Sequence, residues 1–205
     1  MFIRNFTVIL LTVVLTFSNS AGSLAYFNDL SIYDAIEQKN SPLVEGILRQ
    51  NLFVLNQADE DGYTPLHAAI VEKFDEAVTL FLGHPGLDIN HSSDLMNSPL
   101  HTAAENGNFH AVTCLLERPE LRVNDLTTGM LVIAPLHAAI MNQHNAIASA
   151  LINDARTDIN LADGSENTPF HLAGRMNNTE VMSMLVAHAS YIEIPEPPVC
   201  FRREE

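Results

Sequence analysis

Histidine and cysteine are the residues of this chain whose chemistry would first suggest a metal or redox site. There are nine histidines and two cysteines, and His110 and Cys114 lie four residues apart on one face of a predicted helix. Two ligands do not make a metal site. Four other histidines recur only every 34 to 36 residues, too far apart to share one ion at bond lengths of about 2.0–2.1 Å. The sequence therefore predicts no metal and no cofactor, and a metal or redox protein is the weakest alternative.

Motifs that mark common catalytic sites do not occur in the sequence. It has no Gly-rich phosphate loop, no Gly-x-Ser-x-Gly turn and no His-Glu-x-x-His pair. The acidic residues are spread over predicted turns, where a solvated carboxylate is the ordinary role. We therefore expect no enzyme activity. Cys114 is expected in the buried core, and a disulfide with Cys200 is an alternative for an exported protein.

A short pattern recurs along the chain and defines the elements that carry these residues. Its copies are Thr64-Pro-Leu-His67, Ser98-Pro-Leu-His101, Ala134-Pro-Leu-His137 and Thr168-Pro-Phe-His171, at steps of 34, 36 and 34 residues. An alanine follows each histidine by two residues, and an aliphatic–asparagine pair closes each unit. Tyr33 takes the place of the histidine in a degenerate first copy. Such a period indicates stacked units, none of which can bury its apolar face alone.

Each copy predicts two short helices followed by a turn. A hydroxyl before proline accepts a hydrogen bond from a free N–H of the first turn, and proline at the first helical position removes a donor that would lack a partner. In the second helix, apolar pairs such as Ala77-Val78 and Phe81-Leu82 recur at three to four residues and share one face. Turn residues such as Asp61-Gly62 then separate the units.

The pattern Thr-Pro-Leu-His-x-Ala with a closing Asp-Ile-Asn resembles the ankyrin repeat over about residues 29–194. The resemblance implies an all-α solenoid of about five helix-turn-helix units with projecting β-hairpin loops. The units would span about residues 29–60, 61–94, 95–130, 131–164 and 165–194. It also implies a structural role for the motif residues, with the histidines tying the first helix to adjoining backbone. These residues are Thr64, His67, His101, His137, Thr168 and His171.

Partners of ankyrin arrays usually contact the hairpin tips and the face of the first helices. The third tip is enlarged and carries four consecutive apolar residues, Met130 to Ile133. Contiguous exposed apolar area often marks an interaction site; alternatively, Leu131 and Ile133 tuck under the neighbouring repeat. The predicted partner-binding residues are Asp59, Glu60, Asp61, Asp94, Leu95, Met96, Met130, Leu131, Asp163 and Glu166.

The chain is strongly acidic, with 25 acidic and 10 basic residues and a formal net charge of −15. This balance excludes nucleic acid and anionic lipid surfaces as expected partners, because they bind clustered Lys and Arg. The acidic surface either attracts a basic protein partner or serves only solubility. The sequence indicates no particular oligomeric state.

The first 25 residues have the order of a secretory signal. Arg4 precedes the apolar run of residues 6–17, and small or polar residues follow, with cleavage expected near Ala21–Ala25. The run would rise about 18 Å as a helix, short of the roughly 30 Å of a bilayer core. A membrane span is the weaker interpretation, and we expect no stable span after signal removal.

The sequence thus predicts residues 26–194 as a repeat domain and residues 195–205 as a Pro-rich charged tail. Tyr191 and Ile192 are expected to cover the open end of the last helix pair. The predicted function is an exported, non-catalytic ankyrin-repeat protein that binds another protein. Two versions are open: a secreted effector that binds foreign proteins, and a periplasmic protein that binds or protects a resident one as an inhibitor, an immunity protein or a stress-enzyme partner.

Overall fold

A computed structural model of the protein describes residues 31–93, 97–128 and 131–189. These residues form ten α-helices and one 3₁₀ helix, and no described residue lies in a β-strand. The α-helices form five consecutive pairs: α1 (Ile32–Glu37) and α2 (Ser41–Gln50), α3 (Pro65–Val71) and α4 (Asp75–Leu82), α5 (Pro99–Asn106) and α6 (Phe109–Leu116), α7 (Pro135–Met141) and α8 (Asn145–Asn153), α9 (Pro169–Arg175) and α10 (Thr179–Ala189). The 3₁₀ helix (Leu52–Asn56) follows α2. The predicted all-α solenoid of about five helix-turn-helix units is confirmed.

Several predicted features lie outside the described residues. They are the signal segment 1–25, part of the second and third hairpin tips, and the tail, with the named residues Asp94, Leu95, Met96, Met130, Tyr191, Ile192 and Cys200. The predictions made for them therefore stay predictions. Among the helices that the structure describes, none combines the length and the apolar character needed to cross a membrane.

The first helix of each of the last four pairs begins at the proline of the recurring motif. The residue before the proline is extended, with ψ of 164–166°. Ser98 Oγ then accepts a bond from the His101 N–H at 3.4 Å, and Thr168 Oγ1 one from the His171 N–H at 3.5 Å. Ala134 has no hydroxyl, yet α7 starts at the same place. Proline and packing therefore set this helix start without a side-chain cap.

Each first helix ends in the same tight turn. One residue has a left-handed φ of 49–68°, and the N–H after it donates to the carbonyl of the motif alanine, as His144 does to Ala139 at 2.9 Å. This bond belongs to the Schellman ending of a helix. The left-handed residues are Lys39, Lys73, Gly107, Gln143 and Asn177. Glycine alone adopts this conformation without steric cost, and four of the five units use another residue.

The pairs stack so that first helices contact first helices and second helices contact second helices. The result is one continuous core that runs from Ile32 to Leu185. The alanines of the recurring motif are fully buried between neighbouring first helices; they are Ala69, Ala103, Ala139 and Ala173. Because interaxial distance depends on the side chains at the contact, a methyl group here lets the helices approach closely.

Two arginines tie the carboxyl ends of the second helices together. Arg118 donates to the carbonyl of Leu82, the last residue of α4, at 2.6 Å. Arg156 donates to Leu116, the last residue of α6, also at 2.6 Å. A positive charge is favourable at a helix carboxyl end. Arg156 also forms an ion pair with Asp154 at 2.7 Å, which lowers the pKa of that carboxyl group.

Candidate functional site

The motif histidines lie where the first helix of one unit meets the hairpin of the next. Three of the four rings contact a backbone carbonyl of that hairpin through Nε2: His67 contacts Asn97 at 3.0 Å, His101 contacts Ile133 at 3.0 Å, and His137 contacts Asn167 at 3.3 Å. On the other side of these rings, Nδ1 faces the N–H of the residue before proline at 3.2–3.3 Å, and His171 in the last unit keeps this local contact with Thr168. The first three histidines therefore join their own helix start to the neighbouring hairpin.

These contacts determine the tautomer and the charge of the rings. A carbonyl oxygen only accepts, so Nε2 carries the proton and Nδ1 accepts the backbone N–H. In a protonated ring, the Nδ1–H group would face the backbone N–H of the residue before proline, and the two donors would repel each other. Burial also disfavours the charged form: it lowers the pKa of His67 to about 4, and it lowers the pKa of His101 and of His137. Both nitrogens serve the backbone, so the rings are structural groups.

Tyr33 performs the same task in the first unit. Its hydroxyl lies 2.7 Å from the carbonyl of Tyr63, which occupies the place of Asn97 one unit later. The same hydroxyl is 2.7 Å from the Gln57 carbonyl, and its single proton serves one of them at a time. Burial and the nearby Asp59 carboxylate raise the pKa of Tyr33. The degenerate copy therefore keeps the inter-unit contact with another residue type.

The hairpins are closed by a second recurring set of side chains, and the sequence did not predict this role for any of them. Its members are Asp59, Ser93, Thr127 and Asp163. Each backbone N–H of the set donates to a carbonyl across the turn, as Asp59 does to Tyr63 at 2.9 Å. The side-chain oxygen of the same residue accepts an N–H from across the turn. Asp59 Oδ1 accepts the Tyr63 N–H at 2.8 Å, and Thr127 Oγ1 accepts the Ile133 N–H at 3.0 Å. The loops are thus compact turns with one closing backbone bond, where hairpin strands were expected.

The asparagines of the closing pairs connect successive units through backbone bonds. The Asn56 amide donates to the Gly86 carbonyl at 2.7 Å and accepts the Asp88 N–H at 2.9 Å. Asn90 and Asn124 repeat this two-way contact with the next unit. Sequence periodicity located these residues, but it could not reveal what the amides bind, because the partners are main-chain atoms with no sequence signature.

The predicted acidic partner residues divide into two groups. The carboxylates of Asp59 and Asp163 accept N–H groups of their own turns, so they shape the hairpins. Glu60, Asp61 and Glu166 are exposed at the tips, and Asp59 is exposed as well. Glu166 adopts a left-handed φ of 63°. The exposed carboxylates are the ones that a partner could reach.

The third hairpin presents apolar side chains to solvent. Leu131 is 59% exposed and Leu126 is 38% exposed. The two following residues turn inward: Val132 accepts the Gly164 N–H at 2.8 Å through its carbonyl, and Ile133 packs against the core. The alternative in which Leu131 and Ile133 both tuck under the neighbouring repeat therefore applies only to Ile133.

Cys114 lies at the edge of the core rather than inside it, since it is only partly buried. Its Sγ is 3.6 Å from Nε2 of His110, and Thr79 Oγ1 is 3.3 Å from the same nitrogen. Burial, followed by the charge of Glu117, raises the pKa of the Cys114 thiol, so the thiolate is disfavoured. Among the described residues, no three His, Cys, Asp or Glu side chains are grouped to hold a metal ion.

Comparison with known proteins agrees with this geometry. The sequence matches the family model described as ankyrin repeats (3 copies) over residues 32–127 and again over residues 100–195. It is also 29% identical over 145 residues to a Homo sapiens protein, transient receptor potential cation channel subfamily A member 1. That stretch is 70% of this chain but 10% of the human protein, so the chain spans about a tenth of that relative's length.

Proposed function

This chain belongs to the ankyrin repeat family, and on that premise we propose that it is an exported, non-catalytic protein that binds a partner protein through its hairpin tips. Ankyrin repeats are protein–protein interaction modules. A shared fold does not identify a partner, so the partner's chemistry has to be argued from the exposed residues of this chain.

The third hairpin is the observation that carries the proposal. Leu131 is 59% exposed, and Thr127 Oγ1 donates to its backbone carbonyl at 2.6 Å. Thr127 is itself buried. A backbone held in place before binding lowers the entropy that is lost when a partner covers the side chain. Leu131 therefore suits the role of an anchor that enters an apolar pocket of the partner.

The acidic residues of the first units favour a basic partner. The described residues 31–93 hold ten acidic and three basic residues, and Glu60 and Asp61 are exposed on the first hairpin. Complementary charge raises association rates and fixes orientation more than it raises affinity. The proposed partner therefore presents an apolar pocket and, elsewhere on the same face, Lys or Arg side chains.

The location of the protein is also part of the proposal. Residues 1–25 have the composition of an export signal, and the acidic hairpin would suit blocking a basic toxin or enzyme. A secreted effector acting on foreign proteins is the first version. A periplasmic binding or protective protein, such as an inhibitor or immunity partner, is the alternative. Detection of the processed chain in culture fluid or in the periplasmic fraction distinguishes them.

The binding role is tested with substitutions at the anchor. The partner is identified by affinity purification of the protein from its own compartment followed by mass spectrometry, and its Kd is then measured. We expect Leu131→Ser, alone and with Met130→Ser, to weaken binding at least tenfold, in the range found for central anchors, with an unchanged Tm.

Phe53→Ser provides the matched control. Phe53 is 91% exposed in the 3₁₀ helix, away from the hairpin tips, so its loss should leave the Kd unchanged. An unaltered Kd for the doubly substituted hairpin, with the fold intact, would reject the anchor. Equal weakening by Phe53→Ser would indicate nonspecific apolar contact and reject it as well.

A further inference from the structure

Each first helix ends at two consecutive residues that the stack leaves exposed or half-buried. They follow the motif histidine, or Tyr33 in the first unit, by four and five positions. Because each first helix contacts the next one, these equivalent positions form a row along the stack, which we call the helix-end row. It begins at Glu37 and Gln38 in the first unit and ends at Arg175 and Met176 in the fifth.

The chemistry of the helix-end row changes along the stack. Each of the first three units contributes one exposed carboxylate, at Glu37, Glu72 and Glu105. Within the described part of the chain, none of these three carboxylates forms an ion pair. The last two units contribute a methionine each: Met141 is half-buried, and Met176 is 37% exposed. The row is therefore acidic at its beginning and apolar at its end.

The hairpins follow the same order. Glu60 and Asp61 are exposed between the first and second units, whereas Leu126 and Leu131 are 38% and 59% exposed between the third and fourth. Glu166, between the fourth and fifth units, is an exposed carboxylate that departs from the order. Apart from this residue, a partner that lies along the stack meets carboxylates first and apolar side chains later.

Other side chains near the row leave this order in place. Lys39 and Lys73 are the two lysines of the chain and lie at the turns after α1 and α3. The three carboxylates of the row and the two of the first hairpin outnumber them. Val71 is 44% exposed in the acidic part, where the aliphatic stem of a partner's Lys or Arg can cover it. In the last two units, Arg175 is the one charged residue of the row and disfavours a second cation there.

We propose that the helix-end row holds an extended segment of the partner, with Lys or Arg at the first three units and large apolar side chains at the last two. The proposal rests on the proposed function and adds the order of the partner's side chains. Packed helices lie about 8–10 Å apart, so five first helices span about 32–40 Å. An extended segment of about ten to twelve residues covers this distance. Charge then sets the orientation of the segment, and apolar contact slows its dissociation.

Two fluorescein-labelled peptides of identical composition test the order. Each has twelve residues: three Lys, three Leu and six Ser. In the ordered peptide, Lys alternates with Ser in one half and Leu alternates with Ser in the other. In the mixed peptide, Lys and Leu are interspersed along the whole length. Fluorescence anisotropy with the full chain gives both Kd values. We expect the ordered peptide to bind about fivefold more tightly, because only it brings its cations to the carboxylates and its leucines to the methionines.

Charge reversal in the row should remove this preference. In the variant Glu72→Lys with Glu105→Lys, the two peptides should bind with equal Kd. The matched control is Glu76→Lys with Glu117→Lys, which changes the net charge equally at exposed residues on or directly after the second helices of the same units. The control should keep the preference. Circular dichroism at each step verifies that the variants are folded.

Three results would overturn the proposal: equal Kd values for the two peptides with the unaltered chain, an equal loss of preference in the control variant, or no binding of the ordered peptide at 1 mM. None of these experiments alters Leu131. If Leu131→Ser weakens binding of the purified partner while the peptides show no preference, the anchor stands and only the order of the segment is wrong. If Leu131→Ser has no effect, the proposed function itself fails.

Discussion

Polar side chains of this protein bind main-chain atoms of loops and turns, in their own unit or in a neighbouring one. His67, Asn56 and Thr127 act at three different places, yet each satisfies backbone groups at a turn where no regular ladder forms. Buried N–H and C=O groups left unpaired are expensive, so such side chains are needed wherever a loop is packed against a neighbour. This explains why histidines at regular spacing do not form a metal site here.

The buried histidines make stability depend on pH. His67 has a folded pKa of about 4, below the value of about 6.5 expected in the unfolded chain. Between these two values the unfolded state binds the proton more strongly, so stability is highest above pH 6.5 and falls as the pH drops towards 4. The His67 contribution is about 3 kcal/mol, and His101 and His137 act in the same direction. Urea unfolding at pH 7.5 and at pH 4.5 measures this loss.

The variant His67→Gln separates the contribution of the His67 ring to the pH dependence of stability from the contributions of the carboxylates and the other histidines. The glutamine amide does not titrate, so the loss of unfolding free energy on acidification should be smaller in this variant than in the parent. An identical pH dependence of the two proteins would show that His67 is not held neutral by its burial.

At the scale of the helix pair, the turn between the two helices has one geometry and several residue types. Gly107 is the only glycine among the five left-handed positions. A Cβ there would lie 2.7 Å from the Cε1 atom of His144. His144 also contacts the Glu105 carbonyl through Nε2 at 3.1 Å, so the ring has little freedom to move. Two features therefore favour glycine at this turn: the left-handed φ of its backbone and the lack of space for a Cβ beside the His144 ring.

Exchanging residues between equivalent turns tests this reasoning. Gly107→Ala should lower the Tm, because the new methyl group meets the ring and the positive φ costs about 1 kcal/mol. Gln143→Gly should raise the Tm by roughly 2–4 °C, because the same φ then carries no steric penalty. Thermal unfolding followed by circular dichroism measures both. A stabilising Gly107→Ala, or a destabilising Gln143→Gly, would contradict the argument.

At the scale of the whole molecule, charge is unbalanced. The chain carries a formal net charge of −15, and within the described residues Lys or Arg forms ion pairs only at Arg49–Glu45, Arg122–Asp125 and Arg156–Asp154. A net charge of this size opposes the compact state through repulsion between like charges.

Salt should consequently stabilise the fold. Raising NaCl from 0.01 to 0.15 M shortens the Debye length from about 30 to about 8 Å, which screens repulsion between distant carboxylates. We expect a higher Tm at 0.15 M, measured in one buffer at pH 7.5. A Tm that falls with salt would mean that the exposed ion pairs outweigh the repulsion.

Sequence periodicity by itself determined the architecture. The four Pro-Leu/Phe-His motifs and the closing aliphatic–asparagine pairs recur at steps of 34 to 36 residues. Helix starts and buried faces follow from local chemistry that each unit carries within itself. Repeat units interact with their neighbours alone, so the same local signals that place one unit also predict the stack.

Tertiary structure decided what the side chains at the hairpins do. Asp59 and Asp61 look equivalent in the sequence and both are exposed, but the Asp59 carboxylate closes the turn by accepting the N–H groups of Tyr63 and of Asp61 itself. Leu131 and Ile133 look equally apolar, yet one faces solvent and the other the core. These differences arise because a turn residue's direction is set by hydrogen bonds to main-chain atoms and by the packing of the next unit. Neither the main-chain hydrogen bonds nor the packing of the next unit can be inferred from residue type, because both form only when the units are stacked.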